Sequence, residues 1–128
     1  MNLEGRKITI NKSVNDLVEL LRNPADYEQL MPDGLQKFET RGDGFKFGLK
    51  GMPEIALKID SVTPEKVSLV SASSSLDFTL NGLMNSINEN QTEVQLLFEG
   101  KFNPFIKMMV EKPLQNFINS LTDKLEQL

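Results

Sequence analysis

The sequence predicts an α+β domain: a curved antiparallel seven-stranded sheet closed by a long C-terminal helix, with two short helices after the first strand. Three observations predict it. Apolar and polar residues alternate through successive segments from Gln36 to Phe102, the period of half-buried strands. Turn clusters such as Gly42-Asp43-Gly44, Pro64-Glu65 and Asn88-Glu89-Asn90 punctuate those segments. From Pro104 to Leu128 the apolar residues recur at helical spacing.

Each element has a local reason. Arg6–Ile10 is a short β-prone run with Ile8 and Ile10 on one face. Ser13 and Asp16 stand as a capping pair, and Val14, Leu17, Val18 and Leu21 follow at helical spacing. Asn23-Pro24 opens a second short helix, with proline where no N–H is needed; it carries Tyr27, Leu30 and Met31, and Pro32-Asp33-Gly34 stops it. The meander then runs through Phe38, Phe45-Phe47-Leu49, Ile55-Leu57-Ile59, Val67-Leu69, Leu76-Phe78-Leu80 and Val94-Leu96-Phe98. The alternation suggests Phe45 opposite Ile59, Phe47 opposite Leu57 and Met84 opposite Leu96. It also sets Gly82 and Gly100 opposite large side chains, which curves a sheet and leaves room behind it.

The C-terminal stripe changes direction. Phe105, Ile106, Met109 and Pro113 centre on one side; Val110, Leu114, Phe117, Leu121 and Leu125 centre roughly 100° or more away by the helical period. Pro113 lies between the halves and should kink the helix. The later half is expected to pack the sheet and the earlier half to roof something else.

Composition excludes several chemistries. The chain has 128 residues, enough for one domain over 1–128. Lys+Arg is 14 against Asp+Glu 18, a net charge of −4 with no basic block, so nucleic acid is not an expected partner. There is no Cys and no His, which removes disulfides, thiolate catalysis and the commonest metal ligand and acid–base group. No apolar run approaches the ~20 residues of a membrane span, and charges from Glu4 onward replace a signal sequence, so the expectation is a cytoplasmic protein. No cofactor is expected: neither a phosphate-binding loop nor a dinucleotide fingerprint occurs.

The order of elements resembles the helix-grip fold of the START and birch-pollen-allergen superfamily, SRPBCC, including its polyketide cyclase-like members. The residues that carry the likeness are Ile8-Thr9-Ile10-Asn11-Lys12-Ser13, Asn23-Pro24-Ala25-Asp26-Tyr27 with Leu30-Met31-Pro32, and the terminal helix. The resemblance implies an apolar cavity between sheet and helix, holding a small hydrophobic or amphipathic ligand such as a lipid, polyketide or quinone. Phe45, Phe47, Leu57, Leu69, Phe78, Phe98, Met109 and Phe117 are the expected lining, with Tyr27 near the mouth. The alternative is a solid core of the same residues.

Polar candidates for that cavity are few. Arg6 shares strand phase with Ile8 and Ile10, the Tyr27 hydroxyl lies near the expected mouth, and Ser71, Ser73 and Ser75 form a polar tip. A cyclase- or hydratase-like enzyme needs at least two of them facing one ligand atom. A third reading makes the outer-face residues Val70, Leu83 and Leu97 an interaction patch, with Leu83 opposite Leu97. A monomer or weak homodimer is expected.

Overall fold

The computed structural model describes residues 1–50, 54–72 and 76–128. In chain order these form β1 (Asn2–Glu4), β2 (Ile8–Ile10), α1 (Val14–Leu21), a 3-10 helix (Pro24–Leu30), β3 (Leu35–Arg41), β4 (Gly44–Leu49), β5 (Ile55–Val62), β6 (Lys66–Ser71), β7 (Asp77–Asn88), β8 (Gln91–Lys101) and α2 (Pro104–Glu126). The strands make one antiparallel sheet in the order β1-β8-β7-β6-β5-β4-β3, and β2 continues alongside β8. The expected α+β helix-grip architecture is the one observed.

Caps fall where side-chain chemistry puts them. Ser13 Oγ accepts from the Asp16 amide at 3.1 Å and starts α1. Asn23 Oδ1 accepts from the Ala25 amide at 3.2 Å, ahead of Pro24. Asn103 Oδ1 accepts from the Ile106 amide at 2.9 Å, ahead of Pro104. The terminal helix ends at Glu126 and is continuous through Pro113.

The first strand is the main departure from expectation. The expected Arg6–Ile10 run is a strand only over Ile8–Ile10, and an unexpected strand, Asn2–Glu4, precedes it; both pair with β8. From Glu4 to Ile8 the chain advances four residues while β8 advances three, from Leu97 to Val94. The extra residue resets the in–out alternation, so Leu3 and Ile8 are both buried. Arg6 lies in the break, not in strand phase with Ile8, and points outward. Its guanidinium reaches Asp123 at 2.7 Å and Glu126 at 3.0 Å. These acids lie at the negative end of the α2 dipole, where the arginine charge offsets theirs. Gly5, in the same break, sits tight against α2: a Cβ there would lie 2.8 Å from Thr122 Oγ1.

Two registers also shift. Phe45 faces Leu57 and Phe47 faces Ile55. In the last hairpin Met84 faces Val94, Gly82 faces Leu96 and Phe78 faces Gly100. Each shift is two residues, so every side chain keeps its expected face while changing its partner. The last shift originates at the turn: Asn88 pairs with Gln91 around Glu89-Asn90, with an irregularity between Ser86 and Asn88. Leu83 consequently faces Gln95 and Leu97 faces Asn81, so the expected Leu83–Leu97 pair does not form.

The core lies between the inner face of the sheet and one stripe of α2. That stripe is Val110, Leu114, Phe117, Ile118, Leu121 and Leu125, all buried. Leu17, Val18 and Leu21 of α1 and Tyr27 and Leu30 of the 3-10 helix close one end. No helix among the described residues is long and apolar enough to cross a membrane.

Candidate functional site

Aromatic side chains fill the middle of the interior. Tyr27 stacks on Phe45 (ring centroids 4.8 Å apart) and Phe45 on Phe47 (6.0 Å). Phe47 stacks on Phe117 of α2 at 5.3 Å. From the other half of the sheet Phe78 stacks on Phe98 at 5.1 Å. Sheet and helix are thus joined near the centre of α2 by the run Tyr27–Phe45–Phe47–Phe117, with the Phe78–Phe98 pair as a separate stack, each contact adding to ordinary burial.

Apolar voids remain on either side of this partition. The larger, about 40 Å³, lies toward the C-terminal half of α2. Leu121 and Leu125 form its roof, Leu80, Gly82 and Met84 of β7 its floor, and α1 and the 3-10 helix its end wall. Its wall is wholly apolar. The smaller, about 10 Å³, lies toward the start of α2, between Phe78, Phe102, Val110 and Pro113. Glycine opposite a large residue creates space at one end only. Gly82 borders the larger void, whereas the Phe102 ring already fills the space behind Gly100, where a Cβ would meet it at 2.7 Å.

The expected lining residues therefore separate. Tyr27 and Leu69 border the larger void and Phe78 the smaller. Phe45, Phe47, Phe98 and Phe117 are buried in the stacks, and Leu57 is buried in the same core. Met109, expected inside, is 63% exposed. The buried stripe that begins at Val110 sets the rotation of α2, and this rotation turns Met109 to solvent. Among the residues that sequence reasoning left out are Leu17 and Leu21 of α1, Leu30, Met84, Leu121 and Leu125. Their apolar spacing was legible; that they surround a void depends on which faces the short helices turn toward the sheet.

Among the described residues, polar groups do not converge on either void. The Tyr27 hydroxyl donates to the Leu21 carbonyl at 2.7 Å, satisfying a carbonyl at the end of α1. Ser71 donates to the Leu76 carbonyl. Ser73, Ser75 and Gly51-Met52-Pro53, whose composition suggests a turn, lie outside the described residues. With Arg6 turned outward, the described candidates supply no pair of groups aimed at a common ligand atom.

Burial pushes the Tyr27 phenol above its ordinary value of 10.0. The folded state therefore holds this proton after the unfolded chain has released it. Stability tied to Tyr27 is full below pH 10 and declines as pH rises above it. Tyr27 is the chain's one tyrosine, so its absorbance titrates alone. The expected result is a phenol that resists ionisation above pH 10 until the protein unfolds. In urea melts at pH 7 and pH 11, Tyr27→Phe should lose less stability with pH than the wild type; equal losses would refute this coupling.

No protein-family model matches the chain, and the comparison with curated proteins finds no match. Solved structures share its backbone course. KanY superposes with a TM-score of 0.76 at 8% identity, covering 99% of this chain and 95% of its own. Norcoclaurine synthase from Thalictrum flavum, solved with dopamine and hydroxybenzaldehyde, gives 0.71 at 13%, covering 99% and 84%. A START superfamily protein from Mycobacterium smegmatis gives 0.65 at 10%, covering 98% and 97%. These likenesses show the helix-grip fold.

Proposed function

We propose that the protein binds a small hydrophobic or amphipathic molecule between its sheet and α2, in the cytoplasm. One observation carries the reading: the larger void beside the aromatic partition has a wholly apolar wall, so it rewards an apolar guest and offers water no partner. At about 40 Å³ it is smaller than the roughly 150 Å³ of a cavity that holds benzene. The bound state is therefore an expanded one. Met84, with its flexible thioether, and Leu125, near the end of α2, are the wall residues best suited to yield.

Recognition in this reading is by shape and apolar area, at roughly 25 cal/mol per Å² buried. A cyclase or hydratase has less support, because the two described groups best suited to it, Arg6 and Tyr27, are committed elsewhere. The likeness in fold to norcoclaurine synthase does not supply the missing groups.

The test is a methyl-NMR titration of the intact protein with benzene and with decanoic acid. The expected result is saturable shifts at Met84 and at Leu17, Leu80 and Leu121. No shift at these methyls up to the solubility limit of both probes would leave a solid core and overturn the reading. Access is proposed to run past the first half of α2, hinged at Pro113, into the smaller void and from there across the Phe47–Phe117 contact into the larger one. Pro113→Ala restores a backbone N–H and stiffens the hinge. It should slow probe exchange in the same spectra; an unchanged exchange rate would reject the hinge.

A further inference from the structure

The first three turns of α2 carry apolar side chains on two opposite sides. Val110 and Leu114 face the sheet and are buried. Phe105, Met108 and Met109, at i, i+3 and i+4, point roughly the opposite way by the helical period and are 71%, 77% and 63% exposed. The change of direction in the apolar stripe thus marks a second face, open to solvent. Isolated exposed apolar residues need no explanation, but three of the largest within one turn of a helix do.

Charge says what the face fits. Between Lys101 and Lys112 the chain has three lysines, Lys101, Lys107 and Lys112, and one acid, Glu111, although its net charge is −4. Among the described residues the lysine ion pairs use Lys37, Lys46, Lys58 and Lys124, and none of these three. Lys112 stands seven residues after Phe105, on the same side of the helix, and Lys101 just precedes the helix, whereas Lys107 stands on the side of Val110. Cations beside an apolar helix face suit an anionic lipid surface: the rings and thioethers enter the acyl boundary while the ammonium groups stay at the headgroups. A second copy fits less well. It would bring like charges together, and three side chains fall short of the roughly 800 Å² per partner of a stable complex.

We propose that the start of α2 docks the protein on anionic membranes through Phe105, Met108 and Met109, with Lys101 and Lys112 supplying the attraction. This stands apart from the interior-binding reading and would survive a solid core.

The test is vesicle flotation with phosphatidylcholine alone and with 30% phosphatidylglycerol. The expected result is flotation with the anionic vesicles only, weakened by 0.5 M salt. Met108→Glu with Met109→Glu should reduce it at least tenfold, while Leu83→Glu, on the sheet, leaves it unchanged. The chain has no tryptophan, so Phe105→Trp provides a single reporter. Its emission should shift to the blue on anionic vesicles and be quenched by brominated acyl chains. Absence of flotation by the folded wild type, or flotation equal in the Met108/Met109 variant, would overturn the proposal. So would a concentration-dependent dimer abolished by that variant, which would assign the face to a second copy.

Discussion

Phe47→Ala should destabilise the domain by about 3–5 kcal/mol, a large part of the roughly 5–15 kcal/mol available to a domain of this kind. The Phe47 ring is 1% exposed and stacks on Phe45 in the same strand and on Phe117 of α2. Removing it deletes buried apolar area, opens a cavity and breaks the ring-to-ring contact that ties the sheet to the helix. Urea unfolding followed by far-ultraviolet circular dichroism measures it. Phe105→Ala, at a ring 71% exposed, is the matched control and should stay within about 0.5 kcal/mol. A Phe47→Ala loss no larger than the control's would mean that the aromatic partition does not hold the two layers together.

Leu121→Ala should cost about 2–5 kcal/mol and then recover part of it when benzene is added. Leu121 roofs the larger void and is 5% exposed, so truncation adds its volume to space that is already empty and apolar. A void enlarged in this way stays dry and takes apolar guests. The readout is the melting temperature with and without saturating benzene. The variant should gain several degrees and more than the wild type. A variant destabilised without any benzene response would mean that the neighbouring side chains collapse into the gap, and the chamber would then be no template for a ligand.

These two residues show how far the sequence could be read. Phe47 and Leu121 were both legible as inward-facing, because strand and helix periods depend only on backbone geometry. Their roles were not legible. Phe47 was expected to line a cavity, and it belongs to the partition that divides the interior; only the three-dimensional approach of β4 to α2 brings it onto Phe117. Met109 was expected inside for the same kind of reason. The phase change at the start of α2 was visible in the residue spacing, but the side turned to solvent was decided by the stripe from Val110 to Leu125 that docks on the sheet.

The sequence by itself determined the element order, the helix starts at Ser13 and Asn23-Pro24, and the inner face of each long strand, because propensity, capping and periodicity act over a few residues. The tertiary structure alone decided the split at Gly5 that turns Arg6 outward, the two-residue shift in strand partners, and the division of the interior by stacked rings. A shift of two residues preserves which side chains face inward and changes only what they touch, so a pattern with period two carries no record of it. Empty volume is likewise a property of how separate layers meet, and no stretch of neighbouring residues encodes it.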